Sequence, residues 1–331
     1  MSEKVRWGLL STAKINQALI PAIRASQRGE LVAVASRRQD RADAYAQEWD
    51  IPRSFGSYEA MLASGEVDAV YVSLPNYLHA EWSIRAMERG LHVLCEKPFA
   101  ISLSEVDAMI AASERTGTVL AEALMYRHHP QTKAIGDWLR EGHLGEISVL
   151  RGVFNFRLEE RDNVRLVPEW GGGSLWDVGI YPLSFAQYVM GGPPLRVAGD
   201  QWLGDTGVDE SFVGQMHYDG GRLAQITSSM RTPLQTEIEI FGARGRLLVT
   251  RPFNDMADEE RRVTFHPAGG APQEIPVPEM DLYSGEVEDM HAAILDGARP
   301  YLTRAETRDH VRTILALYES ARTHRVVSLP D

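Results

Sequence analysis

The chain has 331 residues, with 34 Lys and Arg against 46 Asp and Glu, a formal charge of −12, 44% hydrophobic and 24% charged residues. That balance describes a globular protein with ample core, one large or two ordinary domains. Its acidic excess speaks against nucleic acid or an anionic membrane surface as partner, since both need a basic face. A single cysteine, Cys95, excludes an internal disulfide and a Cys-rich metal site. No run of about 20 apolar residues predicts a membrane span. The opening "MSEKVRWGLLSTAKIN" lacks the apolar stretch and cleavage site of a secretory signal. The expectation is a cytoplasmic protein.

From the N-terminus, strand and helix signals alternate. Val5–Leu10 reads as a strand, "STAK" as a turn, and the next helix carries Ile15, Leu19 and Ile23 on one face, with Pro21 kinking it or sharing its start. Glu30–Ser36, Ala69–Leu74, Leu91–Cys95 and Thr118–Ala123 read as further strands. Helices are expected near Leu78–Glu88 and Leu103–Glu114. The second opens on the capping box Ser102-x-x-Glu105 and stops at Gly117. This alternation predicts an α/β domain built on a doubly wound parallel sheet, over residues 1–123.

Past about residue 145 the pattern changes. Glu146–Phe156, Ser211–Tyr218, Arg222–Met230, Thr236–Gly242 and Arg246–Thr250 read as strands, with Asp219-Gly220-Gly221 and Ala243-Arg244-Gly245 as hairpin turns. They predict a second, α+β domain over 124–331 with a large, mostly antiparallel open sheet. The polar, Pro-rich stretch Pro252–Pro278 reads as excursion loops, and helices near Ser284–Leu295 and Arg304–Ala321 close the chain.

A doubly wound sheet binds ligands at the carboxyl ends of its strands, where strand order reverses. The first such loop, "GLLSTAKIN", holds Ser11, Ala13 and Asn16 where a dinucleotide fingerprint has glycines. Small residues still permit close backbone approach, and the Ser11 and Thr12 hydroxyls suit a phosphate. The same loop also reads as an ordinary strand–helix turn. After the second strand, NAD-binding chains place an acidic residue on the ribose; here stand Ser36, Arg37 and Arg38, which suit a 2′-phosphate and favour NADP over NAD. A solvated basic turn is the alternative.

Four pieces in order, the loop Gly8–Asn16, "LPNYLH" (Leu74–His79), "CEKP" (Cys95–Pro98) and "GGGSLWDVGIY" (Gly171–Tyr181), resemble the glucose–fructose oxidoreductase / inositol dehydrogenase (Gfo/Idh/MocA) family over essentially the whole chain. "EALMYRHHP" (Glu122–Pro130) is similar to the branch with NADP-dependent aldose (xylose) and dihydrodiol dehydrogenases. The departure is the loss of all fingerprint glycines. The resemblance implies an N-terminal Rossmann domain that binds NADP through Ser11, Thr12, Ala13, Lys14, Ile15, Ser36, Arg37 and Arg38. Leu74, Pro75, Asn76, His79, Glu96 and Lys97 would line the cofactor, with Tyr283, near the start of the penultimate helix, as a further contact in some members. It implies Lys97, Asp177 and Tyr181 as catalytic residues in contact with substrate; Arg165, by its own residue type, reads either as a further contact to a substrate hydroxyl or as a surface arginine.

The chemistry fits those types. Passing a hydride from a carbinol carbon to a nicotinamide requires the alcohol to lose its proton, and a tyrosine, with an ordinary pKa near 10, is a poor base at neutral pH. A nearby ammonium favours the phenolate, so Tyr181 is the expected acid/base, Lys97 its electrostatic partner, and Asp177 the group that orients Lys97 or a substrate hydroxyl. In isolation, Glu96 and Lys97 read as a surface pair contributing at most about 1 kcal/mol; with Asp177 and Tyr181 they read as catalytic. Pro98 restricts the backbone there and is open to either isomer.

His128-His129 has no accompanying ligand spacing, so no metal is expected. Cys95 reads as a packing residue. Phe154, Phe156, Trp170 and Trp176 read either as a wall against a sugar ring or as core filling, and the three glycines as a ligand-side loop or an ordinary turn.

The expected function is an NADP-dependent dehydrogenase of a sugar or polyol carbinol, foremost an aldose at its anomeric carbon, with trans-dihydrodiols as a related class. The alternatives are an NADPH-dependent reductase of a keto-sugar or anhydro-sugar, and a non-catalytic NADP-binding regulator. A homodimer or homotetramer is expected.

Overall fold

The computed structural model describes residues 4–254 and 261–329. They divide into two units, Met1–His128 with Tyr283–Arg308, and His129–Leu282 with Asp309–Asp331. In the first unit run β1 (Val5–Leu10), α1 (Asn16–Ala25), β2 (Gly29–Ala35), α2 (Gln39–Glu48), β3 (Arg53–Phe55), α3 (Tyr58–Leu62), β4 (Ala69–Val72), α4 (His79–Met87), β5 (His92–Glu96), α5 (Leu103–Thr116), β6 (Leu120–Ala123) and α6 (Met125–His128). The six strands are parallel in the order β3-β2-β1-β4-β5-β6. This is the Rossmann order, and its reversal puts a crevice at the carboxyl ends of β1 and β4.

Trp7, Leu9, Val34, Tyr71 and Leu94 form the buried centre of this unit. At α5 Ser102 caps the helix as expected, Glu105 N donating to Ser102 Oγ at 3.3 Å, while the Glu105 carboxylate reaches back one residue further and accepts from Ile101 N at 3.2 Å. Gly117 closes the helix at φ 70°. The helix α1 runs through Pro21. The stretch holding α2, β3 and α3 escapes the sequence pattern because α2 buries only Ala42, Tyr45 and Ala46, too little apolar surface to show a period.

The second unit begins with α7 (Pro130–Arg140) and β7 (Ile147–Arg157), followed by α8 (Ile180–Met190), β8 (Arg196–Leu203), β9 (Asp209–His217), β10 (Leu223–Ser229), β11 (Arg231–Gly242), β12 (Gly245–Thr250), β13 (Val263–Pro267) and β14 (Gln273–Glu274). The helix α9 (Ser284–Leu295) then belongs to the first unit, while α10 (Arg304–Thr323) from Asp309 onward and β15 (Val327–Ser328) belong to the second. Nine strands pair in the order β14-β13-β12-β11-β7-β10-β9-β8-β15, antiparallel except for β7 with β10. The helix α8 packs on β7 and β10. It comes so close that a Cβ at Gly152 would lie 2.7 Å from Pro182 Cβ. On the other face Glu239, Arg151, Gln225 and Gln215 stand in one cross-strand row, half-exposed or exposed.

Two expectations are corrected. Pro252–Pro278 is not all excursion loop: β13 and β14 extend the sheet beyond β12, a short polar edge whose alternation the prolines hide. Positions 255–260 of that stretch lie outside the described residues. Nor does the second domain run unbroken from 124 to 331. Val287 and Met290 of α9 pack into the core cluster around Trp7 and Tyr71, and Arg28 pairs with Asp296 at 2.7 Å. Periodicity shows that such a helix has an apolar face, and not which core receives it. Among the described residues no helix is long and apolar enough to cross a membrane.

The tie between α9 and β1 fixes a protonation state. Trp7 Nε1, which can only donate, lies 2.9 Å from His291 Nε2, so that nitrogen accepts and the proton sits on Nδ1, 3.1 Å from Ser26 Oγ. Burial pushes the His291 pKa down, Glu288 opposing and Arg28 assisting. The unfolded chain, with histidine near pKa 6.5, therefore binds the proton more readily than the folded one. Stability from this site is complete above that pH and is lost as pH falls through it. The thermal midpoint should accordingly drop from pH 7 to pH 5, and less steeply in His291→Gln, which still accepts from Trp7 but does not titrate. Equal pH slopes for the two proteins, measured by calorimetry, would contradict this tautomer.

Candidate functional site

In the first unit, the turn after β1 keeps a glycine-like shape without glycine. Ser11 has φ 152°, in territory that side chains rarely occupy. A buried network holds it: Ser11 Oγ donates to Ser73 O at 3.0 Å, Ala13 N donates to Ser11 Oγ at 3.0 Å, Asn16 Nδ2 donates to Ser11 O at 2.8 Å, and Ser73 Oγ donates to Asn16 Oδ1 at 2.6 Å. Thr12, Ala13 and Ile15 remain half-buried and Lys14 exposed, at the start of α1 with no acidic residue in its first turn. The positive end of a helix beside such a turn suits a phosphate. The third fingerprint position, Asn16, is fully buried and braces the loop.

At the end of β2, Ser36 is buried and its N–H donates to Phe55 O at 3.0 Å. Arg37 is exposed and makes no ion pair among the described residues, whereas Arg38 pairs with Asp40. Of the two arginines expected at a 2′-phosphate, Arg37 is therefore the uncommitted one. After β4, Pro75 and Asn76 are half-buried and Leu74 buried. The His79 ring is fully buried, with Nδ1 2.8 Å from Pro98 O and Nε2 2.7 Å from Leu74 O. It braces two loops at the carboxyl edge rather than presenting a free ring nitrogen. Burial pushes its pKa down, with Lys97 adding to that and the two carbonyls and Glu122 opposing it.

Lys97 leaves the end of β5 half-buried, on a turn held from beneath. The Lys97–Pro98 peptide is cis. Lys97 N donates to Glu96 Oε2 at 3.2 Å and Phe99 N to Glu122 Oε1 at 3.1 Å. Glu96 is no surface partner: it is buried and accepts the Tyr71 phenol, whose pKa burial pushes well up, reinforced by Glu96, Glu286 and Tyr283. Tyr283 is half-buried against the core of the same unit, with its surroundings shared by Tyr71. Cys95 is buried 3.8 Å from Phe99 O and burial pushes its thiol up, which suits packing and not nucleophilic attack.

In the second unit, a five-residue π-helical turn, Leu175–Gly179, runs into α8 and carries Asp177, with Tyr181 in the first turn of α8. Wide turns of this kind recur at functional sites. Asp177 is buried and accepts from Arg165 Nε at 2.6 Å, a charge-assisted pair with the half-buried arginine. Arg165 also fixes the approach to the turn: Gly173 N donates to Arg165 O at 3.0 Å, and a Cβ at Gly172 would lie 2.6 Å from that carbonyl. Tyr181 is buried, its ring 5.2 Å from Phe154 and 5.5 Å from Phe253.

Of the other aromatics, Phe156 lies under the Arg165 guanidinium, Trp176 packs on Tyr318, and Trp170 is exposed. His128 Nδ1 lies 2.6 Å from Asp289 Oδ2, and His129 Nδ1 accepts from Gln131 N to cap α7, so both are engaged in structural contacts. Among the described residues no three His, Cys, Asp or Glu side chains gather as a metal site. Sequence reading missed Tyr71, Ser73, Glu122 and Phe253. Each is an unremarkable letter in a strand or loop, and only folding sets it against Glu96, Ser11, Phe99 or Tyr181.

Residues 5–124 match the oxidoreductase family with an NAD-binding Rossmann fold, and residues 132–248 the GFO/IDH/MocA C-terminal domain. The chain is 40% identical to D-xylose 1-dehydrogenase (NADP(+)) 2 of Haloferax volcanii over 98% of its own length and 99% of that protein's. It is 34% identical to trans-1,2-dihydrobenzene-1,2-diol dehydrogenase of Danio rerio, over 74% of each chain. A crystal structure of a 3-ketoreductase from Actinomadura kijaniata in complex with NADP and TDP-benzene superposes with a TM-score of 0.88 at 30% identity, covering 97% of this chain and 98% of the other. With both halves matched in order and a curated relative aligned almost end to end, this chain belongs to the GFO/IDH/MocA family of oxidoreductases.

Proposed function

We propose that the protein is an NADP-dependent dehydrogenase that oxidises an aldose at its anomeric carbon. Tyr181 takes the proton, Lys97 supplies the neighbouring cation, and Asp177 orients a substrate hydroxyl. The observation that carries this reading is the near end-to-end likeness to an NADP(+) D-xylose 1-dehydrogenase, 40% identical over 98% of the chain. Two features of the first unit fit the cofactor: the glycine-like turn at Ser11 and the uncommitted Arg37 at the end of β2. NADP when bound supplies the nicotinamide ring that accepts the hydride.

Oxidation of a carbinol releases a hydride and a proton, and the residues account for the proton. The Lys97 ammonium favours the Tyr181 phenolate, which accepts from the anomeric hydroxyl. Phe154 and Phe253 pack on the Tyr181 ring and hold it in place. Asp177, paired with Arg165, accepts from an adjacent hydroxyl and so positions the carbinol carbon. A second reading, reduction of a keto-sugar with NADPH, is favoured by the likeness to the 3-ketoreductase; there Tyr181 donates the proton. The open face of the nine-stranded sheet, with Trp202, Val213 and Leu223 exposed, supports self-association as a homodimer or homotetramer, and sedimentation showing monomer alone would refute that.

Turnover followed by reduced-cofactor absorbance across a panel of aldoses tests the main reading. Tyr181→Phe and Lys97→Ala should each lower kcat by about 100-fold or more while NADP still binds; full activity in both variants would sink the assignment. Arg37→Asp should weaken NADP by roughly 10-fold or more and leave NAD nearly unchanged. Equal losses for the two cofactors in a fluorescence titration would remove Arg37 from the 2′-phosphate.

A further inference from the structure

We propose that Asp209 and Tyr318 are positioning residues that latch the turn carrying Asp177 and Tyr181, a role that rests on the reading that those two perform the chemistry. The start of a helix leaves N–H groups without intrahelical partners. Here the neighbouring Ser174 side chain does not cap its own helix. The acceptor comes instead from β9, far along the chain. Asp209 Oδ2 accepts from Leu175 N at 2.9 Å and from Ser174 Oγ at 2.8 Å, while Oδ1 accepts the Tyr318 hydroxyl of α10 at 2.7 Å. Asp209 is 2% exposed. A carboxylate at that end also meets the positive end of the helix dipole.

Three further contacts show how closely the latch is fitted. Gly173 has φ 124°, and a Cβ there would lie 2.1 Å from Asp209 Oδ1 and 2.9 Å from the Tyr318 hydroxyl. The latch thus requires the third glycine of the row. Ser174 Oγ lies 3.0 Å from Ser228 Oγ, which engages β10. The Tyr318 ring packs on Trp176, centroids 5.8 Å apart, and on Phe212 at 5.6 Å. Trp176 is the residue before Asp177, so the latch holds the N-terminal side of the turn right up to Asp177. Burial pushes the Asp209 pKa up, against the Tyr318, Ser174 and Leu175 donors. Three donors converge on this side chain and compensate the cost of burying it.

Beside the latch lies a cavity of about 600 Å³ lined by Trp176, Asp209 and Tyr318 together with Gln201, Leu203 and Glu319. The latch therefore borders open space and not a fully packed core. On this proposal, loss of the latch moves Asp177 and Tyr181, and small displacements of reacting groups are costly in rate.

Tyr318→Phe removes one hydroxyl and keeps the ring packing; Asp209→Asn replaces two acceptor oxygens by one. Each is compared with wild type by hydrogen–deuterium exchange of peptides spanning 171–181, by NADP affinity, and by kcat and KM for the best aldose. The expected result is faster exchange confined to that turn, unchanged NADP affinity, and kcat lowered by about 10-fold in Tyr318→Phe and roughly 100-fold in Asp209→Asn. Unchanged exchange in both variants overturns the proposal, as does faster exchange with unaltered kcat, which would leave the pair a purely structural role. Wild-type protein that turns over no aldose or keto-sugar overturns the proposed function instead, and the exchange comparison still decides whether the latch exists.

Discussion

A buried backbone segment must find partners for its N–H and C=O groups once it leaves a sheet, and the segment after β5 meets that demand with ionisable side chains. Lys97 N is served by Glu96, Phe99 N by Glu122, and the Pro98 carbonyl faces the His79 ring. Glu96 is itself held by the Tyr71 phenol from the neighbouring strand. Glu96 and His79, which the sequence offers as cofactor contacts, thus serve the backbone together with Glu122, and Lys97 stands on the turn they hold. The arrangement explains why a carboxylate, an ammonium and a proline follow one another where a buried strand ends.

The turn after β1 meets a different demand with the same means. A dinucleotide fingerprint uses glycine because the chain must enter conformations closed to side chains. Ser11 enters one anyway, at a cost of about 1–3 kcal/mol. The hydrogen bonds joining it to Ser73, Ala13 and Asn16, each contributing about 1 kcal/mol, are enough to offset that strain. The side chains that replace glycine supply the bonds that make glycine unnecessary.

In the second unit, one residue links the loop to the proposed site. Arg165 receives the Gly173 amide on its carbonyl and holds Asp177 with its guanidinium, so the path of the loop and the position of the carboxylate are set together. The glycine row there divides its labour: Gly172 makes room for a carbonyl and Gly173 for a carboxylate and a phenol. The first is a packing requirement within the loop, the second one between segments distant in the sequence.

Local rules made much of this legible. Alternating apolar strands and capped helices specify the parallel sheet, because burial on both faces leaves a continuous apolar run and a capped helix leaves its signature within a few residues. The hairpin turns specify the antiparallel neighbours for the same reason, and the motifs around Lys97, Asp177 and Tyr181 marked the family. Partnership between distant segments was not legible. The sequence tells that α9 has an apolar face, but only folding sets Val287, Met290 and His291 against Trp7 and returns the chain to its first unit. It offers Glu96, His79 and Asp209 as ionisable residues, but only the tertiary structure decides that each is buried and which atoms it serves. Periodicity records how often a residue faces inward, whereas a hydrogen bond depends on two groups whose separation along the chain leaves no mark in either neighbourhood.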